Sequence, residues 1–162
     1  MKKSTAVILG LLVVLVAGMS CVFAAEYTKF SSKFIKHFKD CDYYEESMVS
    51  EFEGKQFTTN RKIIGWRNGF CKYEETIKSP EDEYQLNCSF SNIQVDELYN
   101  SMRNKSKDPE TYELEMFAEQ KDKKGQTKYV PVGSQTIKGN KAYIAWAKYQ
   151  NNPYFCKPKK IK

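Results

Sequence analysis

The sequence predicts an α+β protein: an antiparallel sheet of four strands or more, helices packed on one of its faces, and disulfides stapling the whole. Three observations predict this. An Asn68-Gly69 dipeptide sits between runs of alternating apolar residues, phenylalanines recur at four-residue spacing after the N-terminal leader, and four cysteines remain once that leader is set aside. At 162 residues the chain is long enough for one domain with a real core, and 11 Tyr with 10 Phe exclude a chain that stays disordered.

The leader comes first. Met1, Lys2 and Lys3 precede an apolar run from Ala6 to Met19 and small residues at Ala24 and Ala25, the layout of a secretory signal peptide of bacterial type. Cleavage after Ala24 is expected, because it places Val22 three residues before the cut, whereas cleavage after Ala25 would place bulky Phe23 there. Residues 1–24 are therefore read as signal peptide and 25–162 as one secreted or periplasmic domain, with a main body at 27–106 and an extension at 107–162. A lipoprotein acylated at Cys21 is the alternative, but Gly18, Met19 and Ser20 supply no branched apolar residue before it. An uncleaved anchor through Ala6 to Ala25 is a further alternative. Once the leader is removed, no stable membrane span is expected.

The elements follow in order. Phe30, Phe34 and Phe38 mark an amphipathic helix over 27–40, with His37 on or beside its buried stripe as a packed or capping imidazole. A strand near Tyr43 to Phe52 turns at Gly54-Lys55 into a second strand from Gln56, setting Phe52 against Phe57. Asn68-Gly69 tolerates positive φ at both turn centres, so Arg67 should face Phe70, Trp66 should face Cys71, and Ile64 should face Tyr73. Phe57 is odd-numbered while Ile64 and Trp66 are even, which calls for one extra residue, expected as a bulge near Thr59 to Arg61. Beyond the turn Ser79-Pro80-Glu81-Asp82, a strand alternates Tyr84, Leu86, Cys88 and Phe90, with Cys71 expected opposite Cys88 and Tyr73 opposite Leu86. Ser91 and Gln94 form a capping box for a helix over 92–104. Asp108-Pro109-Glu110 reads as a helix entrance, although Tyr112, Leu114 and Met116 alternate like a strand. Val130-Pro131-Val132 reads as an edge strand or extended loop, since proline lacks the donor. Asn140 through Gln150 reads as a helix stopped by Asn151-Asn152-Pro153.

Cys41, Cys71, Cys88 and Cys156 should form two disulfides in an oxidising compartment. The strand layout leaves two arrangements open. One joins Cys71 to Cys88 and Cys41 to Cys156, and the other joins Cys41 to Cys71 and Cys88 to Cys156. In both, Cys156 fastens the C-terminal third to the main body.

The chemistry is mostly exclusion. A single histidine and no Cys-x-x-Cys leave no metal site and no thiol-exchange motif, and Gly65-x-x-x-Gly69 lies in a hairpin rather than before a helix, so no cofactor is expected. No catalytic residue is assigned. Tyr143, Trp146 and Tyr149 are candidate ligand-facing aromatics. Without the leader's two lysines the chain carries 24 basic and 20 acidic residues, a net +4, spread over loops and the tail Lys157, Lys159, Lys160 and Lys162. That spread argues against nucleic acid and leaves an anionic surface as a possible attraction. The expected function is a non-catalytic exported protein that binds an unknown macromolecule or envelope surface. Alternatives are a glycan hydrolase using acid pairs such as Glu45 with Glu46 or Glu74 with Glu75, and a protease inhibitor wedged at the Asn68-Gly69 turn. An exposed edge near Val130 makes a homodimer by strand addition conceivable.

Overall fold

The computed structural model describes residues 28–52 and 54–161. The leader, its cleavage point, Cys21 and Tyr27 lie outside the described residues. The elements run α1 (Ser32–Asp40), β1 (Tyr44–Phe52), β2 (Lys55–Arg67), β3 (Phe70–Lys78), β4 (Glu83–Phe90), α2 (Asn92–Arg103), β5 (Glu110–Lys121), β6 (Thr127–Gly139), α3 (Lys141–Gln150) and β7 (Cys156–Lys160). Strands β1-β2-β3-β4-β7 form one antiparallel sheet in that order, and β5-β6 form a separate two-stranded sheet. The α+β class, with helices on one sheet face and two disulfides, is as expected from sequence.

Helix α1 starts later than 27 because Ser31 is its N-cap: the Ser31 hydroxyl accepts from the Phe34 amide at 2.9 Å. Cys41, at φ 52°, ends it in the left-handed region. Phe34 and Phe38 are fully buried, and Phe30, just outside the helix, stacks between Phe34 and Trp146 at 5.3 and 5.0 Å. On α2, the Ser91 amide donates to Gln94 Oε1 at 2.8 Å, as the capping box requires. On α3, Asn140 Oδ1 accepts from the Tyr143 amide at 2.9 Å. The three helices cover one face of the five-stranded sheet and close a core of Phe34, Phe38, Ile63, Tyr73, Phe90, Leu98 and Trp146.

The hairpin turn is as expected: Asn68 and Gly69 have φ of 52° and 79°, and Arg67 pairs with Phe70 and Trp66 with Cys71. One correction concerns the bulge. It lies at Ile64-Gly65, not near Thr59 to Arg61, so Tyr73 pairs with Ile63. Gly65 is at φ +108°, a conformation glycine takes without steric cost, so this is where the strand can absorb the extra residue. A second correction concerns the first hairpin, whose turn is one residue earlier and pairs Phe52 with Lys55 and Ser50 with Phe57.

The β3–β4 register is a third correction. Cys71 faces Phe90 and Tyr73 faces Cys88, two residues from the expected pairing. All four residues Ser79 to Asp82 are loop, closed by Ser79 N–H to the Asp82 carbonyl at 2.8 Å and by the Asp82 amide to Ser79 Oγ at 2.9 Å. A loop two residues longer than a tight turn moves the register by two, and a shift of two keeps every side chain on its face. Cys88 and Cys156 are direct partners across β4 and β7, and the disulfides are Cys41–Cys71 and Cys88–Cys156.

The last correction is β5, which is a strand rather than a helix; the Tyr112, Leu114, Met116 alternation outweighs the proline entrance. Val130-Pro131-Val132 belongs to β6, where Met116 pairs with Gly133 and Phe117 with Pro131, leaving Val132 as the extra residue of a bulge. This hairpin packs on α3 through Leu114, Ile137 and Ala147.

Candidate functional site

Because β2 keeps a single alternation from Phe57 to Ile63, Arg61 lands on the covered face, two residues from Ile63. A buried guanidinium requires partners. Its Nη1 stands 3.7 Å from Glu46 Oε1 on β1 and its Nε 3.5 Å from Glu75 Oε2 on β3, ion-pair contacts rather than hydrogen bonds. The guanidinium also lies 4.4 Å from the Phe30 ring centre, a cation–π contact, and donates to the Lys29 carbonyl at 3.4 Å. Glu75 Oε2 further accepts from the Tyr73 hydroxyl and from Gln150 Nε2 at 3.2 Å, while the Ser31 hydroxyl donates to Glu46. Burial, reinforced by the charge and hydrogen bond of Glu75, holds the Tyr73 hydroxyl pKa well above the ordinary phenol value.

This cluster lies under a cleft of about 210 Å³ whose walls include Phe30, Trp146, Gln150 and Asn151. Its volume is below the about 300 Å³ at which small-molecule pockets begin. Glu46 and Glu75 converge here as sequence alternation alone did not foresee, and Arg61 engages both. The arrangement sets one cation between two carboxylates and ties β1, β2 and β3 to α3 through Gln150. Arg61 escaped the sequence reading; its signal was a basic residue at the inward parity of a strand otherwise carrying Phe57 and Ile63.

The sequence-selected aromatics take separate places. Trp146 and Tyr149 are core residues, 2% and 4% exposed, and Tyr143 is half-buried between the cleft and the β5–β6 hairpin. The Tyr149 hydroxyl bonds Glu97, as does Lys148 Nζ at 3.0 Å. Burial raises Glu97, but these donors and the Lys148 charge bring its pKa below the usual value. Cys41, Cys71, Cys88 and Cys156 are all committed to the two bridges, and His37 stacks on Tyr44 at 4.8 Å. Trp66 is half-buried and donates its indole N–H to the Asp40 carbonyl at 3.0 Å.

Among the described residues no helix covers the opposite face of the five-stranded sheet. Strand alternation sends Glu45, Lys62, Glu74, Asn87 and Lys157 there as one register row across five strands, and Ser47, Asn60, Thr76, Gln85 and Lys159 as the next. Asn60 Nδ2 donates to Glu45 Oε1 at 2.9 Å, and this bond, with lesser help from Tyr43 and Lys62, lowers the Glu45 pKa. Five strands at about 4.8 Å spacing make this face roughly 19 Å wide. No family model, curated protein or solved structure matches the chain. Fold and site together describe a disulfide-bonded α+β protein with one sheet face packed and, among the described residues, the other uncovered. Among the described residues no helix is long and apolar enough to cross a membrane, and no cluster of acids, histidine or cysteine is arranged to hold a metal.

Proposed function

We propose that the protein is exported by its leader and acts outside the cytoplasm as a non-catalytic binding protein, engaging a macromolecule or envelope surface through the open sheet face. The observation that carries this reading is that face: five strands present their side chains in register on the side away from the helices. The two disulfides suit an oxidising compartment. The converging acids Glu46 and Glu75 are engaged by Arg61, which supports binding over carboxylate chemistry.

The test is co-sedimentation with the insoluble envelope of the producing cells. The mature chain should pellet, and Thr76→Glu with Gln85→Glu should release it while leaving the melting temperature within a few degrees. A mature chain that stays in the supernatant would remove the reading. Export is checked on the natural product, whose N-terminus should be Ala25; recovery from cytosol with four free thiols would contradict it.

A further inference from the structure

The open face has two chemical parts. The row Ser47, Asn60, Thr76 and Gln85 is a band of uncharged hydroxyl and amide side chains, each the register partner of the next, ending at Lys159. The same face carries Lys62 on β2, Lys72 and Lys78 on β3 and Lys157 and Lys159 on β7, with Glu45, Glu51, Glu74 and Glu83 as its acids; Lys78 is the register partner of Glu83, whereas Lys157 and Lys159, on the edge strand, stand opposite Asn87 and Gln85. None of these five lysines is in an ion pair within 4 Å among the described residues; Lys72 instead donates to Ser89 Oγ at 2.8 Å.

From this juxtaposition we infer that the open face binds a linear acidic glycan laid across the strands, an inference that rests on the binding function proposed above. Hydroxyls of such a chain both donate and accept, which suits a band of Ser, Asn, Thr and Gln. Its carboxylates suit Lys157 and Lys159, which stand on the edge strand opposite uncharged amides. An anionic bilayer would use the lysines but not the band. Single-stranded nucleic acid is held by base stacking on aromatic side chains, and the two central rows contain none; Tyr43 and Phe70 stand at the margins of the face.

The probe is polygalacturonate, with its methyl-esterified form as the neutral counterpart. The mature, oxidised protein should bind the acid form and weaken as salt is raised. Lys78→Gln, Lys157→Gln and Lys159→Gln should each weaken binding by up to about fivefold, the range of an exposed ion pair. Thr76→Val with Gln85→Ala, which leaves net charge unchanged, should weaken it by about tenfold, as two lost hydrogen bonds predict. Equal binding to vesicles of anionic phospholipid or to duplex DNA, with no effect of Thr76→Val and Gln85→Ala, would overturn the inference, because charge alone would then explain the data. Absence of polygalacturonate binding overturns it too. If the protein still pellets with the envelope, the binding function stands without this partner, and if it does not, both fall.

Discussion

Replacing Cys88 and Cys156 together by alanine should destabilise the protein more than replacing Cys41 and Cys71. The first bridge spans a sequence separation of 68 and the second a separation of 30. In the chain-entropy account a closed loop of about 69 residues removes about 4.4 kcal/mol of denatured-state freedom, and one of about 31 residues about 3.7 kcal/mol. The spans 41–71 and 88–156 do not overlap, so each loop closes independently and the two losses add to about 8 kcal/mol. That is most of the stability of an ordinary domain of this size. Beyond the entropy, Cys156 is fully buried and β7 is an edge strand of five residues that pairs in the sheet with β4, so losing its covalent tie also loosens the C-terminal end. Urea unfolding of the two double variants, extrapolated to water, gives the energies, and mass spectrometry confirms that each retains one bridge. A Cys88→Ala/Cys156→Ala protein within about 1 kcal/mol of the parent, or one with free thiols at Cys41 and Cys71, would refute the reasoning.

Two further outcomes follow from the covered face. Arg61→Met leaves Glu46 and Glu75 buried without their cation and should cost about 3–5 kcal/mol, whereas Arg61→Met combined with Glu46→Gln and Glu75→Gln should recover much of it. Urea midpoints that rank the triple variant no better than the single one would show that the cluster does not act through charge. Tyr73 and Tyr149 both have pKa values raised above the ordinary phenol, mainly by burial and then through their glutamate partners. A raised value in the folded state means that this stabilisation is complete below the unfolded phenol pKa of about 10 and is lost as pH climbs toward the folded values. The urea midpoint should therefore decline above about pH 10, and Tyr73→Phe with Tyr149→Phe should flatten that decline. An unchanged alkaline slope in the double variant would sink the assignment.

Local chemistry accounts for what was legible. Asn68-Gly69 defines its turn because only a few residues accept positive φ at both centres, and Ser91, Gln94 and Asn140 announce helix starts through bonds to amides three residues away. Alternation in β3 and β4 identified the inward set Cys71, Tyr73, Leu86, Cys88 and Phe90 correctly even with the register displaced, since a shift of two preserves parity. Less legible were the place of the bulge and features that depend on partners remote in sequence. The bulge went to Gly65 because the backbone there takes a positive φ that a residue with a side chain rarely adopts, and Arg61 could face inward because Glu46, Glu75 and Phe30 arrive from three other segments.

By itself the sequence determined the class of fold, the Asn68-Gly69 turn, the helices that begin after Ser91 and Asn140, and the presence of two bridges among four cysteines. Each of these rests on interactions within a few residues or on a two- or three-residue period. Only the tertiary structure decided which cysteines pair, that residues 110–121 extend rather than coil, that a salt cluster lies inside, and which face of the sheet remains open. Those outcomes are set by distances between strands far apart along the chain, where a turn two residues longer changes which side chains meet without changing which side they face.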